Sequence, residues 1–317
     1  MKRAICLSLT IVVLSSSPAL SQIGGRAGAF SRLGFGARGM GMGNALTAVT
    51  SGDVVSYYNP AVLSQASYRF ASASFGILSL DRKLNYVSFT QPVKPSAGIF
   101  VGLINSGVSD IDGRDSDGEP TGALRTSENV AFLGFATRFK SGIGIGVNLK
   151  LLYYHLYTDV SSTTVSADVG ALVPVTESIT LGVAIRDINS RYKWDTSPVY
   201  GDQNGKTTED RFPMLIAVGA AYSLPDSLGL ISAEIERSNQ ASLVARFGVE
   251  VPVIPELTVR AGVDRIDVRD GGNGVKPTFG FTAEKTLADL TPAINYAFFV
   301  EPFSSSPTHV ISLSLKF

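Results

Sequence analysis

From Tyr68 onward the chain repeats one pattern, alternating segments of about ten residues separated by turn chemistry. About fourteen can be marked, near 68–79, 83–93, 97–108, 128–139, 142–157, 162–174, 178–189, 211–223, 227–238, 240–252, 256–267, 274–285, 289–302 and 306–317. In one of them Ile143, Ile145, Val147, Leu149 and Leu151 fall on one face, with Gly144, Gly146, Asn148 and Lys150 on the other. In another, Leu243, Ala245, Phe247, Val249 and Val251 oppose Ser242, Arg246, Gly248 and Glu250. Period-two alternation is the mark of a β-strand with two different environments on its faces. It fits a soluble sandwich, where the apolar face is the core, and a membrane barrel, where that face meets lipid.

The connections separate these readings. Short turns near 140–141, 175–177, 225–226, 254–255 and 286–288 alternate with connections that include two long polar stretches, 110–127 and 190–210. Short turns at one end and longer loops at the other are the pattern of a transmembrane barrel, as is an even strand count. The last segment ends Ile311, Leu313, Leu315 and Phe317 on one face. A terminal aromatic on an alternating strand is the usual ending of a bacterial outer-membrane β-barrel, where it serves as the assembly signal.

The start of the chain supports export. Lys2 and Arg3 precede an apolar run over 4–14, and Ala19-Leu20-Ser21 forms a small-residue cleavage site. Residues 1–21 are therefore expected to be a signal peptide. The single cysteine, Cys6, falls inside it, so no disulfide, thiolate metal site or cysteine nucleophile is expected in the mature chain. Charged residues make up 17% of the sequence, against about a quarter in soluble proteins. No later run is long and apolar enough for a membrane helix. The formal net charge is zero, which offers nucleic acid no basic surface. Low charge without membrane helices suits a barrel whose backbone is fully paired.

Residues 22–67 differ. They show no period of two, and 45–49 and 57–63 read as short helical turns joined by a glycine-rich run. A barrel of this size has room for such a segment in its bore. The expected architecture is an all-β transmembrane antiparallel barrel over 68–317 with an N-terminal plug in its lumen. The stretch 27–64 carries GARGMGMGNA at 36–45 and YNPA at 58–61. It resembles the N-terminal signature of the PorV/PorQ outer-membrane proteins, which are in turn similar to FadL-type fatty-acid transporters. The resemblance implies a fourteen-stranded barrel with a plug whose motif residues are Gly36, Arg38, Gly39, Gly41, Gly43, Asn44, Asn59, Pro60 and Ala61. For function it implies a non-enzymatic scaffold or shuttle for secreted or surface proteins, as in type IX secretion. The alternative is a FadL-like transporter that takes hydrophobic small molecules from the loop side and releases them sideways through the wall.

Other constellations have plainer readings. Gly34, Gly36 and Gly39 have dinucleotide-loop spacing, but no strand precedes them. Close packing of a plug on a wall explains these glycines better. The acidic stretch Asp110, Asp112, Asp115, Asp117 and Glu119 lacks the EF-hand spacing and reads as a solvated loop. His155 and His309 have no ligand-spaced partners, and no GxSxG elbow is present. Neither metal, cofactor nor catalytic residue is expected. The lumen face carries both signs, Arg138, Lys150, Arg186, Arg246, Arg260 and Lys316 against Glu234, Glu236, Glu250, Asp264 and Glu301, which suggests mutual pairing. Tyr192, Trp194 and Tyr200, with Tyr153, Tyr154 and Tyr157, suit an aromatic girdle or exposed partner contacts. Expected partners are outer-membrane lipid, the barrel-assembly machinery, and either secretion-system proteins and their cargo or a hydrophobic ligand.

Overall fold

In the computed structural model the described residues are 25–52, 56–269, 274–302, 304 and 306–317. The expected signal peptide over 1–21 lies outside them. Among the described residues sixteen strands are present: β1 Phe70–Ile77, β2 Lys83–Val93, β3 Ala97–Arg114, β4 Pro120–Arg138, β5 Gly144–Tyr157, β6 Val160–Pro174, β7 Ile179–Ile188 and β8 Arg191–Asp195 in the first half. The second half holds β9 Thr207–Arg211, β10 Leu215–Ser223, β11 Leu230–Ser238, β12 Leu243–Ile254, β13 Leu257–Asp267, β14 Lys276–Glu284, β15 Thr291–Phe299 and β16 Thr308–Lys316. All but β8 and β9 form one closed barrel of fourteen strands, and β8 pairs only with β9.

Antiparallel neighbours follow the chain order except where β7 meets β10, and β1 closes on β16 with Phe70 opposite Lys316 and Ile77 opposite His309. The backbone of Phe317 completes the closure by exchanging hydrogen bonds of 3.0 and 3.1 Å with Arg69. Closure pairs the barrel strands around the ring, as a bilayer demands of backbone amides, with β6 before Ala167 as an exception on its β7 side.

Alternation sets the two faces as the sequence leads one to expect. Leu133, Phe135, Leu149, Leu151, Val183, Val218, Ile235, Phe247, Phe279, Ile294 and Leu313 all point out and are exposed. The outward apolar band ends on one side at Asn85, Asn105 and Asn129, which lie in register on β2, β3 and β4. There Asn105 Nδ2 donates to Asn129 Oδ1 at 2.8 Å. No helix among the described residues is long and apolar enough to cross a membrane.

Two expectations about loops change. The stretch 110–127 is mostly strand, because β3 and β4 run well beyond the segments 97–108 and 128–139. Its polar residues pair across the hairpin, with a register shift after Val108. The acidic side chains make local turn contacts: Asp115 Oδ1 accepts from the amides of Asp117 and Glu119, and Arg114 reaches Asp112 at 2.7 Å. The second stretch, 190–210, is the β8–β9 hairpin with a short helix, α2 Ser197–Tyr200, at its tip.

The helical turns of the N-terminal segment also shift. A five-residue helix, α1 Ala37–Gly41, falls inside the glycine-rich run, and 3-10 turns cover Ala29–Arg32 and Pro60–Gln65. Residues 45–49 are not helical. The turn at Pro60–Gln65 starts where it does because Asn59 caps it, its side-chain oxygen accepting from the Ala61 amide at 2.9 Å, with Pro60 at the first helical position.

Candidate functional site

Glycines on the inner face decide where the N-terminal segment sits. A side chain at Gly146 would collide with Pro60, at Gly170 with Asn59, at Gly182 with Thr47, at Gly248 with Met42, and at Gly262 with Gly43. These glycines lie on β5, β6, β7, β12 and β13. The segment thus lays its backbone directly on the strands around much of the ring, at a distance only a missing Cβ permits.

Specific bonds then fix it. Ala37 N donates to Ser312 Oγ at 2.8 Å, and Gly43 N to Thr278 Oγ1 at 3.0 Å. Arg38 grips Glu250 through two nitrogens at 2.9 and 3.0 Å, and Arg260 holds the same carboxylate at 2.5 Å. Asn44 Nδ2 donates to Asp264 at 3.2 Å, and Tyr58 hydroxyl donates to Asn44 Oδ1 at 2.8 Å. Asn59 Nδ2 bridges Thr47 O at 2.8 Å and Ala171 O at 3.2 Å. Gly36 adopts φ 77, Gly39 packs against Tyr58, and Pro60 and Ala61 are buried. The structure therefore places the nine motif residues against the inner wall, eight of them buried and Gly36 half-buried. The apolar residues Phe30, Phe35, Met40 and Met42 are buried with them.

Above these residues the lumen has two unlike sides. On β2 to β5 it is apolar, with Leu84, Tyr86, Ile104, Val130, Phe132 and Leu152 in one hydrophobic cluster with Phe35 and Tyr57. On β11 to β13 it is charged. Arg246 lies 2.7 Å from Glu234, 2.9 Å from Glu236 and 2.7 Å from Asp264. Arg186 pairs with Glu236 and places its guanidinium 5.5 Å from the centre of the Tyr57 ring. The expected mutual pairing of lumen charges is present, extending to Lys276 with Glu301 at 2.6 Å and Lys316 with Glu284 at 3.2 Å. Arg138 departs from it: the side chain is exposed at the short-turn end and donates to Gln65 at 2.8 Å.

The wall is irregular at β7. Between the pairs Ala167↔Ile188 and Val169↔Ile185, one residue of β6 opposes two of β7. This is a β-bulge. It turns two successive side chains inward, so Arg186 and Asp187 are both buried, with Asp187 at φ 60. Lys150 Nζ then sits 2.6 Å from both Asp168 and Asp187, and the Asp187 amide donates to Asp168 at 2.8 Å. Simple alternation would have turned Asp187 toward lipid, and so the sequence reading missed it.

Past the bulge no strand pairs with β6 on its β7 side among the described residues. The chain turns inward instead. Ser162 Oγ accepts from Lys193 N at 2.8 Å, and Thr164 Oγ1 donates to Arg191 O at 2.5 Å, so β8 crosses the inner face of β6. Tyr192 and Trp194 are therefore buried, 1% and 6% exposed, in a cluster with Tyr154 and Phe212. They are neither girdle nor exposed contacts; Tyr153, Tyr157 and Tyr200 are the exposed members of the predicted aromatic set. Burial and the neighbouring Glu128 carboxylate push the Tyr192 phenol above its ordinary value. It stays protonated at neutral pH and donates to Glu128 at 2.7 Å.

Three spaces are lined by β4 and β5 on this side of the barrel. At the long-connection end a cavity of about 650 Å³ is bounded by Ala27, Glu128, Tyr154, Tyr192, Trp194 and Asp210. One inward residue deeper on β4 and β5, a small cavity is lined by Tyr57, Val130, Phe132, Lys150, Leu152 and Asp187. Outside it a crevice of about 660 Å³ opens in the wall, lined by Leu133, Leu149, Leu151 and Val165 around the small side chains of Ala131 and Ala167. Phe132 and Lys150 line both the inner cavity and the crevice.

No protein-family model matches the sequence, and no curated protein matches it. Solved structures do match the fold. The toluene transporter TodX of Pseudomonas putida shares 14% identity over 89% of this chain and 97% of its own, with a TM-score of 0.59. The CymD monoaromatic hydrocarbon channel shares 13% over 90% and 97%, with a TM-score of 0.65. A Pseudomonas aeruginosa FadL homologue shares 11% over 88% and 97%, with a TM-score of 0.57. The chain is a multi-pass β-barrel of the bacterial outer membrane. The likeness agrees with the FadL-type side of the resemblance carried by 36–45 and 58–61, and at these identities it speaks to the fold alone.

Proposed function

We propose that this barrel carries hydrophobic small molecules across the outer membrane, with residues 22–67 as a plug and 68–317 as the barrel. The observation that carries the reading is the wall crevice at the β7 bulge, which shares Phe132 and Lys150 with a cavity inside the lumen. A molecule entering at the long-connection end meets the apolar side of the lumen, is stopped by the plug, and leaves sideways between β6 and β7. The neighbours named as hydrocarbon channels support this direction. The motif residues Gly36 to Ala61 serve as the plug's seat and fastenings. Ile311, Leu313, Leu315 and Phe317 face outward on the closing strand, where the barrel-assembly machinery could read them. The reading is of a transporter and not an enzyme.

The test is to fill the crevice from outside. Ala131→Phe together with Ala167→Phe adds two rings between outward leucines without touching the lumen. Uptake of a labelled aromatic hydrocarbon by cells carrying the variant is expected to fall about tenfold or more, since a closed path leaves no alternative route through a plugged bore. Full uptake by a variant that still runs as a folded barrel would remove the lateral route.

The PorV/PorQ-type scaffold reading has one observation in its favour, the β3–β4 hairpin that runs beyond the Asn85–Asn105–Asn129 row. Removing its tip, 110–119, distinguishes the two. A scaffold loses capture of secreted cargo, whereas a transporter keeps hydrocarbon uptake.

A further inference from the structure

A charged cluster sits where the wall crevice meets the inner cavity. Lys150 is the one basic residue in the crevice lining among the described residues, and its ammonium is already held between Asp168 and Asp187, both at 2.6 Å. One cation against two carboxylates gives this cluster a formal charge of minus one. The nearest other cation lining the inner cavity, Arg186, is turned to Glu236 and the Tyr57 ring. Asp187 is held by the Ser190 hydroxyl at 3.1 Å as well, and Asp168 accepts the Asp187 amide, so neither carboxylate is loose. The remaining lining is apolar apart from Ser31, Tyr57, Ser166 and Asn189, and of these the hydroxyls of Ser31, Tyr57 and Ser166 already donate to the carbonyls of Gly28, Ser31 and Ile188.

We infer that this barrel passes uncharged hydrophobic molecules and turns back those that carry a carboxylate, with Asp168 and Asp187 as the residues that set this selectivity. The inference rests on the transport reading above. A carboxylate arriving at the narrow point leaves water, finds Lys150 occupied, and meets a cluster whose net formal charge has its own sign in a medium of low dielectric. Like-charge juxtaposition of this kind costs several kcal/mol and is a common means of rejecting a wrong partner. A neutral ring or alkane loses only weak hydration and gains contact with the apolar wall. The bulge makes this possible, since Asp187 faces the lumen only because β7 carries one extra residue there.

The experiment compares two probes on the full chain in the outer membrane of a host lacking hydrophobic-compound channels of its own. Labelled toluene and labelled decanoate are offered at pH 7.5, where the fatty acid is ionised, and accumulation is read against the empty host. Toluene accumulation is expected to rise and decanoate to stay at the empty-host level. In Asp168→Asn/Asp187→Asn, which leaves the Lys150 charge uncompensated, decanoate uptake is expected to rise about fivefold or more with toluene changed little, the size of a relieved like-charge penalty. Asp187→Asn alone is expected to shift it the same way by less. Decanoate entering the unmodified protein as readily as toluene overturns the inference and leaves transport standing. Decanoate held at background by a folded double variant that still passes toluene removes the assignment to these two residues. Neither probe entering through a barrel shown to be folded in the membrane overturns the transport reading itself.

Discussion

Asn59 bonds to three backbone groups in two parts of the molecule, Thr47 O and Ala61 N within the N-terminal segment and Ala171 O on β6. Asn59→Ala removes all three and leaves two buried carbonyls without that donor. A loss of about 2–3 kcal/mol in the hold on the segment is expected, at about 1 kcal/mol net for each bond. Protease cleavage within 27–66 of the folded barrel, at a concentration that leaves the original chain intact, would register it. Glu250 gives a second test. Glu250→Ala strips a common partner from Arg38 and Arg260, whereas Arg38→Met leaves Glu250 paired with Arg260. Removing the shared anion is expected to cost about 3–5 kcal/mol, and removing Arg38 distinctly less. Equal effects on thermal unfolding would count against the shared-anion account. At this scale the sequence was legible where a residue type has a single structural use, as with Asn59-Pro60 at a helix start and glycines opposite an apolar face. It was not legible for Asp187, whose direction depends on a bulge. An acid next to Arg186 on an alternating strand left one charge assigned to lipid, a costly placement that marks a break in the alternation.

At the scale of elements, strand number and the inward and outward faces could be read because one period governs them all. The β8–β9 hairpin could not. Its residues are polar enough for a solvated loop, and its inward turn is set by contacts from Ser162 and Thr164 on β6, far away in sequence. Trp194 holds the hairpin down, packing on Tyr154 with ring centres 5.2 Å apart and donating from Nε1 to Asp210 at 2.7 Å. Trp194→Ala is expected to free the hairpin without opening the barrel, since β8 and β9 pair only with each other. Loss of a buried Trp costs about 3–5 kcal/mol. Faster proteolysis in 196–206 with unchanged heat-modifiable migration is the predicted result. Loss of the migration shift would mean that the hairpin supports the wall.

For the whole molecule, closure, the outward apolar band and a backbone-tight seat for the N-terminal segment belong together. The glycines let the segment lie against the inner wall, and on the proposed reading a bore plugged in this way leaves the wall as the exit. Gly170→Val, which sets side-chain atoms against Asn59, is therefore expected to unseat the segment and raise leakage of small polar solutes, measurable as ion conductance in planar bilayers. The crevice at the β7 bulge lies at Val165 to Ala167, where β6 loses its β7 partner. The most direct measurement is the accumulation of labelled toluene by cells with this chain in their outer membrane, against the same cells without it. Transport through the lumen and wall predicts faster, saturable accumulation. Accumulation no different from that of the bare host, with the barrel folded in the membrane, would contradict it.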